Sequence, residues 1–134
     1  MAIWQKPVVD RTIADVAAGA EKCYFSAGTL NRIEENTQYL ADLYGVRITI
    51  RTWTATDFLT ASGMERILQN VATVRDAGPT VPNAPQIPHL PATRFDQVND
   101  VERILAMSQD AWQRTQSGKQ YAGEIYAGQK IGVI

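Results

Sequence analysis

The residues of this chain that could carry out chemistry are few. His89 is the single histidine and Cys23 the single cysteine among 134 residues. A Ser-His-Asp triad would have to recruit His89 from a proline-rich stretch, and one cysteine with one histidine cannot form a zinc site of Cys and His ligands. We therefore predict no catalytic residues, no bound cofactor and no metal. We expect His89 to be incidental, and Cys23 to be a small apolar core residue.

The charged residues are typical of solvated surface. Glu34 and Glu35 are neighbours on a predicted helix and therefore diverge, while Asp96 and Asp100 lie near a helix start, where the helix dipole favours acids. No glycine-rich phosphate loop or dinucleotide fingerprint occurs in the sequence. The formal net charge of −1 argues against a nucleic acid or an anionic membrane as the main partner. We also expect neither an export signal nor a membrane span, because no apolar stretch is long enough.

An internal repeat is the most informative feature of the sequence. Three segments each contain a phenylalanine, a short polar stretch and an Arg-Ile pair. The arginines recur after 34 and 37 residues, a spacing typical of repeated supersecondary units. The motif residues are Phe25, Arg32 and Ile33, then Phe58, Arg66 and Ile67, then Phe95, Arg103 and Ile104. We therefore predict three related units within a single domain spanning residues 1–134.

Each unit is predicted to form one amphipathic helix, over residues 25–44, 58–77 and 95–115. Apolar residues recur at steps of three, four and seven, which places one apolar stripe on each helix. Three helices of this kind can bury their stripes against one another. The sequence therefore predicts a mainly α fold with a three-helix core.

The ends of these helices carry capping signals. The candidate N-terminal caps are Ser26 or Thr29, Ser62 in a capping box, and Asn99 or Asp96. Each phenylalanine of the motif would pack against the first turn as a hydrophobic staple. Gly45 and Gly78 would close the first two helices in the left-handed conformation.

Two asparagines, Asn36 and Asn70, stand four residues after Arg32 and Arg66 and close to the apolar stripes. Because a buried asparagine needs hydrogen-bond partners, we expect each to bond a backbone group of a neighbouring loop. A ligand-binding asparagine pair is the alternative. We interpret the repeated arginines as solvent-facing or loop-bracing cations and not as an anion site.

Two further segments favour β structure. Residues 46–53 alternate apolar with polar side chains as a half-buried strand does, and the glycine-punctuated residues 120–134 suggest a hairpin around 127–129. We predict a small β element from these two segments. They would pair with each other or stay open as edges that a second chain can use.

Residues 78–94 are predicted to be a proline-rich connection between the second and third helices. Its prolines occur at every third position, which places them on one face of a polyproline II helix: Pro79, Pro82, Pro85, Pro88 and Pro91. Proline at this density excludes helix and central strand, so we predict a polyproline II strap over 79–91. The strap would pack on its own chain through Val81, Ile87 and Leu90, or would embrace a neighbouring subunit. The five prolines are the candidate partner-binding residues.

Several motifs follow one another along most of residues 4–126. Trp…Pro…Asp-Arg-Thr lies at 4–12, Asn-Arg-Ile-Glu-x-Asn-x-x-Tyr-Leu at 31–40, Thr-Trp-Thr…Asp-Phe at 52–58, Met-Glu-Arg at 64–66, the proline-rich stretch at 82–91 and Arg-Ile-Leu at 103–105. In this order the chain resembles small tail-associated structural proteins of phages and prophages of Gram-positive bacteria. The resemblance implies a non-enzymatic virion component of the tail tip or baseplate, with no catalytic residue to carry over.

The expected function is therefore that of a structural or adaptor protein of a phage or prophage tail, acting through protein–protein contacts. Its partners would be other virion proteins or further copies of itself, and no nucleic acid, membrane or small-molecule substrate is expected. The protein would pass from the host cytoplasm into the virion tail. Two alternatives stay open, a cytoplasmic binding or regulatory module unrelated to phage and a small enzyme. The enzyme would need a deep pocket that gathers Trp53, Arg66 and Asn70.

Overall fold

Helices and extended segments alternate along the molecule. The computed structural model describes residues 2–19, 26–89 and 95–129, with side chains up to residue 116. The helices are α1 (Ile13–Ala17), α2 (Ala27–Tyr44), α3 (Ala61–Ala77) and α4 (Phe95–Gln129). Three extended segments are named here the arm (residues 2–12), the connector (46–53) and the strap (79–89). The expectation of a mainly α protein is confirmed.

The three long helices, α2, α3 and α4, lie parallel to one another. Towards their N-terminal ends, Arg66 of α3 pairs with Glu34 of α2, and Arg32 of α2 pairs with Glu102 of α4. At the C-terminal end of α2, the Tyr44 hydroxyl donates to a backbone carbonyl further along α4 (3.1 Å). Because the N-terminal ends of these helices lie together, the chain has to return along the length of the bundle after α2 and again after α3. The connector and the strap are the segments that make this return.

The apolar stripes of α2, α3 and α4 meet in one core. Ile33, Ile67 and Ile104 are each at most 2% exposed and belong to the same cluster. Other buried members are Leu30, Leu40, Met64, Leu68, Val71, Val74, Val101 and Leu105. Burial of one such side chain stabilises the fold by about 2 kcal/mol, so the cluster is its main source of stability. The prediction that three amphipathic helices bury one another is confirmed.

The N-terminal caps follow the sequence signals in part. Ser26 caps α2 by accepting a hydrogen bond from the backbone amide three residues further on (3.2 Å), and Gly45 closes α2 in the left-handed region at φ 73°. In α3, Thr60 and not Ser62 is the cap, because its hydroxyl accepts from the Gly63 amide (3.0 Å). The helix therefore begins two residues earlier than its predicted capping box.

Other expectations about helix ends are wrong. Gly78 has an extended backbone (φ −95°), and it is needed instead for close packing, because a Cβ atom there would lie 2.6 Å from the Tyr44 ring. Phe58 is 86% exposed and does not staple α3. Asn99 lies inside α4, which begins four residues earlier. Phe25 lies outside the described residues.

The predicted β element is not seen. No strand occurs in the described ranges, and residues 120–129 belong to α4 instead of a hairpin. Residues 130–134 lie outside the described residues. The alternation of the connector is real, since its valine and isoleucines are half-buried, Trp53 is buried and its polar side chains are exposed. It joins no sheet because helix side chains bind its backbone groups.

The strap is extended but is not one continuous polyproline II rod. A turn at Pro82 and Asn83 interrupts it, and Asn83 has a φ of 66°. That value lies in the left-handed region, which a polyproline II residue does not adopt. Ile87 packs against the core, as expected for a strap held by its own chain. Leu90 and Pro91 lie outside the described residues.

Candidate functional site

Polar side chains bind the connector along the groove between α2 and α3. The Asn31 side chain accepts from the Trp53 backbone amide (2.6 Å) and donates to the Trp53 carbonyl (2.9 Å). Arg66 and Asn70 of α3 both donate to the Thr49 carbonyl, at 2.8 Å each. These bonds satisfy backbone groups that a neighbouring strand would otherwise pair.

A buried carboxylate, Glu34, joins the two sides of this groove. Its oxygens accept from the Trp53 indole nitrogen (2.5 Å) and from two Arg66 nitrogens (2.7 and 2.8 Å). The hydrogen bonds to Glu34 raise the pKa of Arg66 above its usual value. On the outside, the Arg51 guanidinium stacks 4.2 Å from the centre of the Trp53 ring. A bidentate arginine and an indole donor together satisfy the carboxylate in this buried place.

The arm is bound in the same way along the groove between α2 and α4. The Asn99 side chain accepts from the Arg11 backbone amide and donates to the Arg11 carbonyl, at 3.1 Å each. Asn36 brackets the backbone of Gln5 in the same manner, at 2.7 and 2.8 Å. Two helix asparagines thus hold the arm at two points along its length.

Glu102 is the buried carboxylate of this second groove and is 0% exposed. It accepts two hydrogen bonds from Arg32 (2.5 and 2.8 Å), one from the equally buried Arg11 guanidinium, and one from the Val8 amide (3.3 Å). The hydrogen bond to Glu102 raises the pKa of Arg32. A carboxylate surrounded by two guanidinium groups fixes the arm to both helices.

The helix residues of the two sets occupy equivalent positions, related by shifts of multiples of 34 residues. Asn31 and Glu34 correspond to Asn99 and Glu102, Arg66 to Arg32, and Asn70 to Asn36. We call each set a clamp. A clamp consists of a bracketing asparagine, a buried glutamate, an arginine from the next helix and a second asparagine. The part of the chain that the structure describes is thus an approximate threefold repetition of an extended segment followed by a long helix, and two of the three grooves between these helices contain a clamp.

The third groove, between α3 and α4, has different residues at the clamp positions. The 34-residue shift leads to Glu65, Leu68, Asp100 and Ile104, where the clamps have Asn, Glu, Arg and Asn. On the strap, the same shift of Trp53 leads to Ile87. Leu68 is a core residue and Ile87 packs against the core. Apolar packing therefore takes the place of the hydrogen bond that Trp53 donates to Glu34 in the first clamp.

Asp100, and not Arg103, therefore occupies the position of Arg32 and Arg66. The predicted third Arg-Ile pair is out of register with the clamps by three residues. Arg103 is exposed and donates to the Val9 carbonyl of the arm (3.2 Å). Desolvation raises the pKa of Asp100, while Arg103 opposes the rise and Asp96 adds to it.

Open grooves flank the strap, and two of them are lined by its prolines. The larger, about 710 Å³, lies between strap residues 86–89 and one face of α3, and its α3 lining is Glu65, Leu68, Gln69, Ala72 and Arg75. The smaller, about 340 Å³, lies between strap residues 79–82 and α4. Of the candidate partner-binding prolines, Pro79, Pro82 and Pro88 line these grooves and Pro85 is half-buried. Within the described residues, no hydrogen bond ties the strap to the helices.

Sequence reasoning found some of the clamp residues and missed others. Asn36 and Asn70 bond backbone groups of extended segments, as expected. Arg32 and Arg66 do brace segments, both through buried carboxylates and Arg66 also by a direct hydrogen bond to the Thr49 carbonyl. The interpretation of Glu34 as solvated surface is wrong, since it is 2% exposed. The residues not singled out are Arg11, Asn31 and Glu102, and Asn99 is predicted only as a helix cap. The recurring Asn-x-x-Glu at 31–34 and 99–102 is the signal that could have found the clamp role of Asn31, Asn99 and Glu102.

The structure also brings together the three residues of the enzyme alternative. Trp53, Arg66 and Asn70 meet around the connector, where their polar atoms bond Glu34 and the Thr49 carbonyl. Their arrangement positions a stretch of backbone. His89 is exposed at the larger strap groove, and Cys23 lies outside the described residues.

The chain matches no protein-family model, no curated protein and no solved structure. In the ranges that the structure describes, no three His, Cys, Asp or Glu side chains gather so that they could hold a metal ion. No described helix combines the length and apolar character needed to cross a membrane. The clamps and the strap grooves are the features from which a function can be argued.

Proposed function

We propose that this protein is a non-enzymatic structural or adaptor protein of a phage or prophage tail, placed at the tail tip or baseplate and acting through protein–protein contacts. The observation that carries the proposal is the use of the buried charges. Glu34 and Glu102, with their arginines, fix extended segments onto a helical frame. A frame held in this way suits a component that keeps its neighbours in fixed positions.

The motifs of the tail-protein resemblance support the proposal, because they supply the clamps. Their clamp residues are Arg11 from Asp-Arg-Thr, Asn31, Arg32, Glu34 and Asn36 from the second motif, Trp53 from the third, and Arg66 from the fourth. These motifs have a structural role in this chain. A tail protein that shares them would have the same reason to form the same frame.

Large apolar side chains on the surface also support a role in protein–protein contacts. Phe58 is 86% exposed, and Ile3 and Ile13 are 73% and 74% exposed. Aromatic residues are enriched at interfaces between proteins, where they supply much of the contact area. Phe58 is therefore the first residue to test at an interface.

Co-purification with the products of adjacent genes tests the proposal. We expect the tagged chain to elute in a complex with at least one tail protein, measured by size-exclusion chromatography with light scattering. Phe58→Asp should weaken that complex, whereas Thr56→Asp on the same exposed loop serves as the matched control. Antibody labelling of purified particles should place the chain on the tail. A chain that stays monomeric at high concentration and binds none of these proteins would contradict the proposal.

A further inference from the structure

We infer that the groove between α3 and the strap binds an extended peptide of a partner protein, with a basic residue at one position and an acidic residue four positions away. This inference deepens the proposed function, because it assigns one surface to contact with a neighbouring protein in the assembly. The groove, of about 710 Å³, is named here the α3–strap groove.

The fold itself shows how its grooves hold extended chain. In two of the three grooves, helix side chains at equivalent positions bond the backbone of the arm and of the connector. The third groove contains the strap, which makes no hydrogen bond to the helices within the described residues. It also leaves open space beside it, in the size range of ligand-binding clefts.

Charged residues mark both ends of the α3–strap groove. Glu65 stands at the position from which Asn31 and Asn99 bracket backbone in the clamps, and it is exposed and makes no ion pair with a described residue. Arg75, at the other end, pairs with its exposed neighbour Asp76 (3.0 Å). An arriving carboxylate can therefore compete for Arg75, and an arriving cation can pair with Glu65.

The distance between these charges sets the spacing on the partner. From Glu65 to Arg75, α3 rises about 15 Å at 1.5 Å per residue. An extended chain covers that distance in four to five residues at about 3.3 Å each. Side chains of an extended chain alternate between two faces, so residues four apart project from the same face. A separation of four therefore directs both partner charges into the groove.

The groove surface between its two charged ends determines which partner residue fits midway between the partner's own charges. Leu68 and Ala72 line the groove there, so an apolar side chain suits the central position. Gln69 also lines the groove, and its exposed amide can bond partner backbone as Asn31 bonds Trp53. The partner pattern is therefore basic-x-apolar-x-acidic, in one of the two chain directions.

Two short peptides test the inference. Their sequences are acetyl-Thr-Arg-Thr-Val-Thr-Glu-Thr-amide and the same peptide with Arg and Glu exchanged, which covers both chain directions. In a ¹⁵N NMR titration of the full chain, we expect one of them to bind with a Kd of about 1 mM or tighter. The shifted amides should include Leu68, Gln69 and Ala72.

Charge reversal distinguishes a specific ion pair from non-specific binding. Glu65→Lys should weaken binding of that peptide about two- to fivefold, as expected for loss of an exposed ion pair. Its control, Asp42→Lys, adds the same charge on an exposed position of α2 and should leave binding unchanged. A peptide with Glu at both charged positions should regain affinity for the Glu65→Lys chain.

The inference is overturned if neither peptide binds, if the shifted amides lie on α2 instead of α3, or if Glu65→Lys leaves the affinity unchanged. Its failure is distinguishable from failure of the proposed function. If the chain joins a tail complex but binds neither peptide, the proposed function stands and the peptide-binding groove is rejected. If the chain binds a peptide but no tail protein, the groove stands and the proposed function is rejected.

Discussion

Replacing Glu102 by glutamine removes the negative charge that holds the arm while keeping the shape of the side chain. Glu102 is 0% exposed and pairs with two guanidinium groups, of which that of Arg11 is buried as well. Removing one partner of a buried ion pair costs about 3–5 kcal/mol, because the other partner is left uncompensated. Against a typical total of about 5–15 kcal/mol, Glu102→Gln should lower the free energy of unfolding by a large fraction.

Urea unfolding followed by circular dichroism measures this loss. Glu65→Gln is the matched control, since Glu65 is exposed and makes no described ion pair, and it should change the free energy of unfolding by less than about 0.5 kcal/mol. A loss below about 1 kcal/mol for Glu102→Gln would refute the reasoning, because it would mean that the clamp carboxylate is not charged and buried as described.

The other predictions use the same unfolding assay unless stated. Gly78→Ala should destabilise the fold by about 1–3 kcal/mol, because the new Cβ would lie 2.6 Å from the Tyr44 ring. Asn99→Ala removes the bracket on the Arg11 backbone and should cost about 2 kcal/mol; an unchanged stability would mean that water replaces the asparagine without loss. Arg66→Met should be destabilising by leaving Glu34 buried without its cation, and adding Glu34→Leu should recover at least about 1 kcal/mol, as the apolar third groove suggests. Burial raises the pKa of Tyr44 to about 12, so the folded state holds this proton more tightly than the unfolded chain; its stabilising effect is present below pH 10 and is lost as pH rises from 10 to 12. Absorbance titration at 295 nm should show a late-titrating component that Tyr44→Phe removes, and an unchanged titration curve for that variant would contradict this.

The helical frame could be predicted from the sequence because its signals are local. The apolar steps of three, four and seven fix which face of each helix is buried, and Ile33, Ile67 and Ile104 lie in the core as predicted. The cap of α2 depends on Ser26, and the end of α2 on Gly45, within a few residues of the helix itself. Such features need no knowledge of the distant chain.

The clamps depend on contacts between distant segments, so local patterns describe them poorly. In the sequence, Glu34 resembles any solvated helix carboxylate, and only the approach of Trp53 and Arg66 makes it a buried anchor. The alternation of apolar and polar residues over 46–53 indicates which side chains face the core. It does not indicate which groups form hydrogen bonds with the backbone of this segment. Helix asparagines take the place of a second strand, which is why a strand was predicted and an extended connector is found.

The third unit shows how a sequence match can select the wrong register. Arg103 matches the motif by residue type, whereas the hydrogen bonds align Asp100 with Arg32 and Arg66. The third groove has other residues at the clamp positions, so a search for identical residues finds a neighbouring arginine instead. The Asn-x-x-Glu pattern keeps the correct spacing because both of its residues still hold the arm.

Backbone hydrogen exchange tests the central claim most directly. The amides of Gln5, Arg11 and Trp53 lie in no helix or strand, yet each donates to a helix asparagine. We predict that they exchange at least about a hundredfold more slowly than the strap amides of Thr80 and Gln86, which have no such acceptor among the described residues. Equal exchange in the arm, the connector and the strap would contradict the claim that two grooves clamp extended chain and the third does not.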